Sequence, residues 1–585
     1  MKKWQLLPQI PAEFSRAYSD INPIVLQLLY NRGLQEKKAI AEFLSGETAF
    51  HDPFLFKNMA AAVDLIISHI KKGSRLMVYG DYDADGVTSS VILSETLKIL
   101  HGQTEVYLPD RVSEGYGLNK TAIDQIAARG FKLIITVDNG IRNQAEVAYA
   151  QSLGLEVIIT DHHVLPEDEK DLPDCLYIDP ADPRDNYPWP YLAGVGVAFK
   201  LISALLAKAD LPENQKRLIG EKCLDLVAVG TVADLVSLLG ENRLLVSRGL
   251  QILNQSRRLG LTELIKIAKA NHNRPLEAWN IGWQIGPRLN AASRLAHANS
   301  AFALLTTVVP EEARRLAEEL NERNISRQKI TAEITAAVEE QIDPANLPLV
   351  IIGVAEVDRT WNEGVIGLVA GRISEKYYRP TLVITRLNEE EDMDKNSGQE
   401  SAPKISFKGS GRSVPEFNLI AAVEAAADLL DKYGGHPMAC GFSLNNEKNL
   451  ADFKQRLLKS AAEQLDPADL IPKLKVDLEL KPEEITLDLI GQINALAPFG
   501  QDNPQPRFVS YGLTIGEIVI MGLNNQHIKF RLSSFWALAF GAAAEYKDFR
   551  DGDKVDVVYY LEINEFNGRK EVQLKIVDMR LASNQ

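Results

Sequence analysis

Cysteine is scarce in this chain. Only three cysteines, Cys175, Cys223 and Cys440, occur among 585 residues, and none belongs to a CxxC pair. This excludes a dense disulfide framework and suits a reducing cytosol. We therefore expect a cytoplasmic location and small, buried cysteines.

Long apolar segments are also lacking. No uninterrupted run reaches the length of about 18 residues that a membrane-spanning helix needs. The first residues, MKKWQLLPQIPAEF, carry two lysines, but Pro8, Pro11 and Glu13 interrupt any apolar signal core. We expect a globular protein with no export signal and no membrane partner.

Positive charge is in deficit. The 64 Lys and Arg residues face 79 Asp and Glu residues, which gives a net charge of -15. Because phosphate binding normally leaves a basic footprint, this balance argues against a simple electrostatic binder of duplex nucleic acid. A narrow basic groove for a single strand stays compatible with an acidic exterior. The length exceeds what one hydrophobic core supports, so three or more domains are expected.

Carboxylates are concentrated at one point near the amino-terminal end. Asp81, Asp83 and Asp85 alternate along the chain between a short apolar run, Arg75 to Tyr79, and a helix-like run, Val87 to Leu100. Carboxylates repel one another in a confined turn, so the cluster indicates a bound multivalent cation. A solvated turn or a calcium loop is the alternative. An EF-hand is excluded because the twelfth-position Glu is missing.

Two further apolar runs end in residues that can bind metals. Phe131 to Val137 runs into Asp138, and Leu155 to Thr160 runs into Asp161-His162-His163. Short β-branched runs separated by helix-length segments predict parallel strands in repeated βαβ units. In such sheets sites form at the carboxyl ends of the strands, which is where these side chains lie.

A fourth acidic position lies in a helical-looking apolar stretch. Asp234 follows Gly230-Thr231-Val232-Ala233, within Leu224 to Leu239. Taken alone, Asp138 before Asn139-Gly140 is explained by a turn, and the His pair by surface or core packing. Together these residues form a hard, oxygen-rich set that suits Mg²⁺ or Mn²⁺ better than structural zinc. We predict a dinuclear metal site.

The four segments resemble the motifs of the DHH phosphoesterase superfamily. Later segments are similar to the RecJ family of single-stranded-DNA-specific exonucleases over nearly the whole chain. They are Gly286-Pro287-Arg288-Leu289-Asn290-Ala291-Ala292-Ser293-Arg294, Ser410-Gly411-Arg412-Ser413, Gly434-Gly435-His436 and Leu496-Ala497-Pro498-Phe499-Gly500. Each motif alone is weak, but their order and spacing are specific. Asp502 departs from the family pattern, where Gly is expected.

The resemblance implies a set of metal ligands and catalytic residues. Asp83, with a contribution from Asp81, would hold one divalent cation, Mn²⁺ or Mg²⁺, and Asp138 would bridge it to a second. The second cation would be held by Asp85, His162 and Asp234. His163 would face the scissile phosphate, so the expected catalytic residues are His163, Asp138 and Asp81.

An exonuclease must also recognise a strand end, and guanidinium groups suit a terminal phosphate. By similarity the candidate substrate contacts are Arg111, Arg288, Asn290, Arg294, Ser410, Gly411, Arg412, Gly435 and His436. Each Arg viewed alone is better explained as a surface or ion-pairing residue. Tyr82 or Tyr116 are weaker candidates for stacking on a base.

The expected fold class is α/β, with two α/β lobes of DHH and DHHA1 type joined by a long helix, and a C-terminal OB-like β-barrel. A polar helix starting at Pro310 is expected to link the lobes, although a surface helix of one domain is the alternative. The expected domains are 1–50, a helical lead-in; 51–240, the DHH catalytic domain; 241–345, a helical connector; 346–460, a DHHA1-type substrate-binding domain; and 465–585, an OB-like nucleic-acid-binding domain.

The polar segment 388–402 is interpreted as a flexible surface insertion, with a regulatory or partner-binding role as the alternative.

The expected function is stepwise 5′-to-3′ hydrolysis of single-stranded DNA to 5′-mononucleotides, in DNA repair and recombination. The resemblance implies a single-strand-binding protein and a RecQ-type helicase as partners, and a monomer is expected. One alternative is a phosphodiesterase for short oligonucleotides or cyclic dinucleotides, or a related pyrophosphatase or exopolyphosphatase. Another is a noncatalytic scaffold for repair or replication. The preferred metal and the choice between RNA and DNA stay open.

Overall fold

The computed structural model describes residues 2–46, 49–256, 258–270, 274–357, 359–388, 405–566 and 568–582. Within these ranges no helix is both long and apolar enough to cross a membrane. The insertion predicted at 388–402 lies, apart from Asn388, outside the described residues.

The amino-terminal segment contains one strand and three helices. They are β1 (Lys3–Leu6), α1 (Ala12–Ala17), α2 (Pro23–Asn31) and α3 (Lys37–Ser45). Helix α2 starts as the sequence predicts, because the Asn22 side chain accepts a hydrogen bond from the Ile24 amide and Pro23 occupies the first turn.

The first lobe is a parallel α/β domain. Its elements are α4 (Met59–Lys71), β2 (Arg75–Gly80), α5 (Ala84–Ile99), β3 (Gln103–Tyr107), α6 (Lys120–Ala128), β4 (Leu133–Val137), α7 (Gln144–Ser152), β5 (Glu156–Thr160), β6 (Leu176–Ile178), α8 (Gly194–Lys208) and α9 (Glu213–Ala233). The strands follow the order β3-β2-β4-β5-β6, and every pair is parallel. The predicted strands before Asp81, Asp138 and Asp161 are therefore confirmed. Helix α9 ends at Ala233, so the prediction of helix as far as Leu239 is wrong.

A helical connector follows. It consists of α10 (Gly240–Leu253), α11 (Leu259–Ile267), α12 (Ala278–Asn280), a π-helical turn (Ile281–Ile285), α13 (Gly286–Leu295), α14 (Asn299–Thr306) and α15 (Pro310–Glu339). Leu316 and Leu320 of α15 are buried in the core of the first lobe, whereas Ile334 and Val338 are buried in the second. The predicted long helix from Pro310 is confirmed, and it joins the two lobes instead of covering one.

The second lobe holds a mixed five-stranded sheet. Its elements are β7 (Ile351–Val354), α16 (Glu363–Tyr377), β8 (Thr381–Asn388), β9 (Ile405–Arg412), α17 (Leu419–Glu424), β10 (Lys432–His436), β11 (Ala439–Leu444) and α18 (Glu447–Gln464). The strand order is β10-β11-β9-β8-β7, in which only β7 and β8 pair in parallel.

The last segment forms the expected barrel. Its elements are β12 (Lys473–Val476), β13 (Leu478–Glu479), α19 (Leu487–Asn494), β14 (Phe508–Met521), β15 (His527–Leu532), β16 (Phe535–Ala539), β17 (Lys554–Phe566) and β18 (Arg569–Leu581). The order β14-β15-β16-β18-β17 closes because β17 also pairs with β14. The α/β fold class with a C-terminal barrel is thus confirmed.

The two ends of the chain meet in space. Strand β1 pairs in parallel with β12. Apolar residues of α2 and α3, including Leu28 and Phe43, share one core with barrel residues such as Phe530 and Tyr559. The amino-terminal helices therefore cover the barrel, and nothing in their sequence pattern predicted this packing.

Candidate metal centre and substrate cleft

Residues 81–83 form a tight connection between β2 and α5, and Asp85 and Gly86 lie in the first turn of α5. The side chain of Asp83 caps α5, because its Oδ1 accepts hydrogen bonds from the amides of Asp85 (2.9 Å) and Gly86 (3.1 Å). A Cβ atom at Gly86 would lie 2.6 Å from the Asp81 backbone, so only glycine fits there. This geometry therefore brings the three alternating residues Asp81, Asp83 and Asp85 close together.

Asp138 follows β4 in a left-handed backbone conformation, with φ of 64°. Such a conformation is uncommon outside glycine, although Asp and Asn tolerate it best. The Asp138 amide donates to the Thr160 carbonyl at the end of β5 (3.0 Å). Helix α8 approaches so closely that a Cβ at Gly194 would lie 2.6 Å from the Asp138 Cβ. The carboxylate is therefore fixed between two strand ends and a helix.

Three groups of side chains have ligand atoms within 4.8 Å of one another: Asp81, Asp83 and Asp138; Asp85, His162 and Asp234; and Asp138, His162 and His163. The Nε2 atom of His162 lies 3.1 Å from Asp138, 3.6 Å from Asp234 and 3.9 Å from Asp85. The structure brings all six predicted metal ligands together. Asp138 belongs to two of the three groups, one with Asp81 and Asp83 and one with His162 and His163, as a bridging ligand would.

Unpaired polar atoms test whether these groups fit a cation. Asp81 Oδ1, Asp138 Oδ1 and His162 Nε2 are buried and have no hydrogen-bond partner among the described residues. A buried polar atom without a partner is costly, and a divalent cation would satisfy all three. Oxygen-rich donors with one imidazole match Mn²⁺ or Mg²⁺. The residues therefore fit the metals that the resemblance implies.

The carboxylates strain one another electrostatically. Burial, followed by repulsion from Asp83, raises the pKa of Asp85 to about 7. Burial and neighbouring acids also hold the pKa values of Asp81, Asp138 and Asp234 well above their usual range. Asp85 is partly supported by the start of α8, since its two oxygens accept from the amides of Gly194 (2.7 Å) and Val195 (2.9 Å). A bound cation would offset the repulsion that remains.

The two histidines differ in charge. Burial and the charge of His163 lower the pKa of His162 to about 4, which leaves its ring neutral and able to bind a metal. Burial also opposes protonation of His163, but its 2.7 Å hydrogen bond to Asp161 and the nearby carboxylates prevail, and its pKa rises to about 9. His163 is thus a cation beside the acidic centre.

Asp161 is a functional candidate that the prediction left out of the site. It is buried, and its Oδ1 accepts from the His162 amide and contacts the His163 ring, while its Oδ2 accepts from the Ile141 amide (2.9 Å). It therefore fixes the orientation of His163. Its place at the end of β5, beside both histidines, was the available signal.

Several arginines lie close to one another and to Asp83 of the acidic centre. The Arg111 guanidinium stacks on the Tyr82 ring (4.3 Å), and its buried Nη1 has no partner among the described residues. Burial, followed by the charges of Arg111 and Arg327, lowers the pKa of Arg294 to about 9, and Arg412 contributes in the same direction. Guanidinium groups that lower one another's pKa in this way form a positively charged cluster suited to binding a polyanion.

Arg327, on α15, is a member of this cluster that the prediction missed. Its Nη2 donates to Asn324 (2.8 Å), while its buried Nε has no partner among the described residues. Burial lowers its pKa, followed by the charges of Arg372 and Arg288. No sequence signal marked it, because α15 carries many charged residues on its exposed face.

Other predicted substrate contacts have structural partners. Asn290 accepts from the Ala84 amide at the start of α5 (2.7 Å) and so supports the metal-binding turn. Arg288 binds Asn321 (3.0 Å) and the Gln284 carbonyl (2.6 Å), and Arg294 binds the Gly364 carbonyl (2.8 Å). Their contacts with substrate stay predictions.

The Ser410–Arg412 segment and the Gly-Gly-His segment lie in one sheet, joined through β11. Arg412 lies beside Ser410 Oγ (3.4 Å), while His436 is exposed. A Cβ at Gly411 would collide with Leu419 and Cys440, and Gly435 has φ of 150°. Packing and backbone conformation therefore explain these two glycines.

Tyr116 contacts His163 Nδ1 (3.0 Å) and the Asp138 carbonyl (3.2 Å), which places its hydroxyl at the acidic centre.

Comparison with known proteins agrees with this arrangement. Three family models match: the N-terminal domain of the DHH family at residues 75–231, the DHHA1 domain at 350–463 and the RecJ OB domain at 476–578. The single-stranded-DNA-specific exonuclease RecJ of Bacillus subtilis is 39% identical over 95% of this chain and 68% of that protein. The chain belongs to the RecJ family. RecJ of Escherichia coli is 32% identical over 95% of this chain and 96% of its own length.

Solved RecJ structures share the fold. The crystal structure of RecJ from Thermus thermophilus in complex with Mn²⁺ matches with a TM-score of 0.81 and 29% identity, over 99% of this chain and 80% of that one. The corresponding Mg²⁺ complex matches with a TM-score of 0.75 and 28% identity, over 99% and 79% of the two chains. Both metals found in RecJ structures are those that the donor set of this chain favours.

Proposed function

We propose that this protein is a divalent-metal-dependent exonuclease that shortens single-stranded DNA from its 5′ end and releases 5′-mononucleotides. The observation that carries the proposal is the convergence of Asp81, Asp83, Asp85, Asp138, His162 and Asp234 beside a cluster of arginines. Membership of the RecJ family, whose named members are single-stranded-DNA-specific exonucleases, supports it.

The metal ligands divide between two subsites. Asp81 and Asp83 would hold one cation, Asp85, His162 and Asp234 the other, and Asp138 would contribute to both. Two bound divalent cations supply an activated water and stabilise the attacking and leaving oxygens of a phosphodiester. The protein contributes ligands from strand ends, from the start of α5 and from the end of α9.

His163 is the group proposed to contact the scissile phosphate. Its side chain is 40% exposed, whereas its partner Asp161 is buried. The hydrogen bond to Asp161 outweighs burial and raises the pKa of His163, and the protonated ring can donate a hydrogen bond to a phosphoryl oxygen as charge develops there. Asp161 holds the ring in the orientation that this donation needs.

The arginine cluster is proposed to bind the 5′ end of the strand. Arg111 and Arg412 come from the two lobes and Arg294 and Arg327 from the helical connector, and the charges of the other three lower the pKa of Arg294. Their partial burial strengthens binding to a phosphate, because little water competes. A terminal phosphate held there would place the first phosphodiester near the metal subsites.

The barrel is proposed to bind the strand farther from its end. On the outer face of β15 and β16, Lys529 and Arg531 stack against Trp536 at 4.1 Å and 5.4 Å from its ring centre. Basic and aromatic side chains on this part of an OB fold suit single strands. A second nucleic-acid surface favours a polymer over the short-oligonucleotide alternative.

We also propose that the protein acts in DNA repair and recombination, is cytoplasmic and is a monomer. Its proposed partners are a single-strand-binding protein and a RecQ-type helicase. The domain boundaries expected from the sequence are proposed as well. The noncatalytic alternative is disfavoured because every predicted ligand position is filled and the ligands converge.

The test compares substrate length. With Mn²⁺ or Mg²⁺, the rate on a long 5′-phosphorylated single strand should exceed the rate on dinucleotides. Faster turnover of dinucleotides would favour the phosphodiesterase alternative. Absence of hydrolysis on every phosphodiester tested would favour the scaffold.

A further inference from the structure

The residues that follow the proposed metal ligand Asp234 connect two cores. This segment, residues 235–239, is called the strap here, and it links α9 to α10. Leu238 is buried in the core of the first lobe, while the adjacent Leu239 packs against the core that the barrel shares with the amino-terminal helices. The strap is thus attached on both sides of a domain boundary.

The start of the strap has little support of its own. Leu235 is 71% exposed and adopts a left-handed conformation, with φ of 62°. The left-handed conformation costs roughly 1 kcal/mol or more, and the exposed Leu235 side chain makes little packing contact that could offset this cost. Asp234 is held on its amino side by α9, where its amide donates to the Gly230 carbonyl (2.9 Å), and the strap acts on it from the carboxyl side.

The loop between α19 and β14 holds the strap. The Leu238 amide donates to the Gln501 carbonyl (2.8 Å). Gly500 lies against the Leu238 side chain, where a Cβ would come within 2.5 Å of Leu238 Cδ1. The φ of Gly500 is outside the left-handed region, so steric room for Leu238 explains this glycine better than backbone conformation.

Asn503 and Arg32 fix the shape of that loop. Asn503 is fully buried; its Nδ2 donates to the carbonyls of Leu496 (2.9 Å) and Pro498 (2.8 Å), and its Oδ1 accepts from Arg32 Nε (2.6 Å). Arg32 also donates to the Pro504 carbonyl (2.7 Å). The Asn503 amide is thus satisfied on both sides, which makes the loop a rigid support.

We propose that the loop at residues 496–503 positions Asp234 through the strap, so that the metal subsite of Asp85, His162 and Asp234 depends on the barrel and the amino-terminal helices. Gly500 and Asn503 are positioning residues in this account. The inference rests on the proposed function, because it takes Asp234 as a metal ligand. Groups that orient a metal ligand commonly change metal affinity by 10- to 100-fold when altered.

The test is a titration of the full-length, metal-free protein with Mn²⁺. Binding is followed by calorimetry and by the electron paramagnetic resonance signal of free Mn²⁺. Gly500→Ala should weaken one of two binding events by about tenfold and leave the other unchanged. Gly491→Ala, in α19 of the same region, is the matched control, because a Cβ there meets no atom within 4 Å. It should bind Mn²⁺ like the wild type.

Two further variants keep the test decisive. Leu238→Ala combined with Gly500→Ala removes the collision and should recover affinity relative to Gly500→Ala alone. Asn503→Asp keeps the acceptor for Arg32 but loses both donated hydrogen bonds, and it should also weaken one event about tenfold. This variant decides the question if Gly500→Ala does not fold.

Unchanged Mn²⁺ affinity in folded Gly500→Ala and Asn503→Asp would overturn the inference. Equal weakening of both binding events would overturn it too, because the loop would then act on the whole domain. The wild type separates this outcome from the proposed function: a wild type that binds no Mn²⁺ contradicts the proposed function itself.

Discussion

The Oδ1 atom of Asp138 and the Nε2 atom of His162 lie 3.1 Å apart, yet neither has a hydrogen-bond partner among the described residues. The two atoms face each other without the alignment of a hydrogen bond. Two strand ends supply them, and α8 closes the space behind Asp138. Such a pair is explained by a cation that both atoms bind.

Asp138→Asn should strongly reduce hydrolysis and preserve the fold. The amide has the same shape, and Asn tolerates the left-handed backbone at this position better than Ala does. Loss of the bridging charge should lower kcat roughly thousandfold, the equivalent of about 4 kcal/mol. Single-strand binding, measured by fluorescence anisotropy, should stay largely intact.

Asp64→Asn is the control for this substitution, because Asp64 forms a surface ion pair with Lys208. It should keep wild-type activity. Hydrolysis retained by Asp138→Asn would contradict the bridging assignment.

Asp161→Asn should disturb His163 without removing a proposed metal ligand. The buried carboxylate accepts from the His163 ring and from three backbone amides, which an amide cannot do with the same geometry. We expect kcat to fall by about 100-fold or more, while Mn²⁺ affinity changes little. Single-turnover kinetics and Mn²⁺ titration measure the two effects separately. A loss confined to Mn²⁺ affinity would show that Asp161 acts on the metal subsite instead.

Arg327→Gln should weaken binding of single-stranded DNA. If Arg327 contacts one phosphate, the slope of log affinity against log salt should become shallower by about 0.7. Lys329→Gln is the control on the same helix, because the Lys329 side chain is 78% exposed and lies beside Glu333. Equal effects of the two substitutions would indicate a general charge effect instead of a contact.

Stabilisation by Mn²⁺ should grow with pH. Without metal, the folded protein keeps Asp85 protonated up to about pH 7, whereas an unfolded Asp releases its proton near pH 4. The folded state therefore binds more protons across this window, and this cluster makes folding stability fall as pH rises. A cation favours the ionised carboxylates and removes that loss.

The measurement is the Tm in saturating Mn²⁺ minus the Tm in EDTA, at about pH 5.5 and about pH 7.5. The difference should be larger at the higher pH. An equal difference at both values would mean that the carboxylates are already ionised in the metal-free protein.

The strand-end residues could be predicted because sequence and topology coincide there. Asp81, Asp138 and Asp161 each follow an apolar run, and parallel strands bring such ends to one edge. The strap could not be predicted: Leu235 to Leu239 continue the apolar pattern of α9, and only the packing of Leu238 and Leu239 into different cores ends the helix. Local pattern records periodicity, whereas helix ends here are set by tertiary contacts.

Interactions between distant segments were likewise invisible. Asn290 looked like a substrate contact within its motif, but its partner is the Ala84 amide, about two hundred residues earlier in the chain. Arg32 gave no signal at all, because its partners, Asn503 and Pro504, are at the far end of the sequence. One sequence shows which residues have functional chemistry and leaves open which of them support the others.

The most direct test of the central claim is an end-blocking assay with Mn²⁺. Long single strands would be blocked at the 5′ end, at the 3′ end or at neither, and the products separated by length. The account predicts 5′-mononucleotides from strands with a free 5′ end, none from strands blocked there, and none from a fully paired duplex. Steady release of mononucleotides from the 3′ end of a 5′-blocked strand would contradict it.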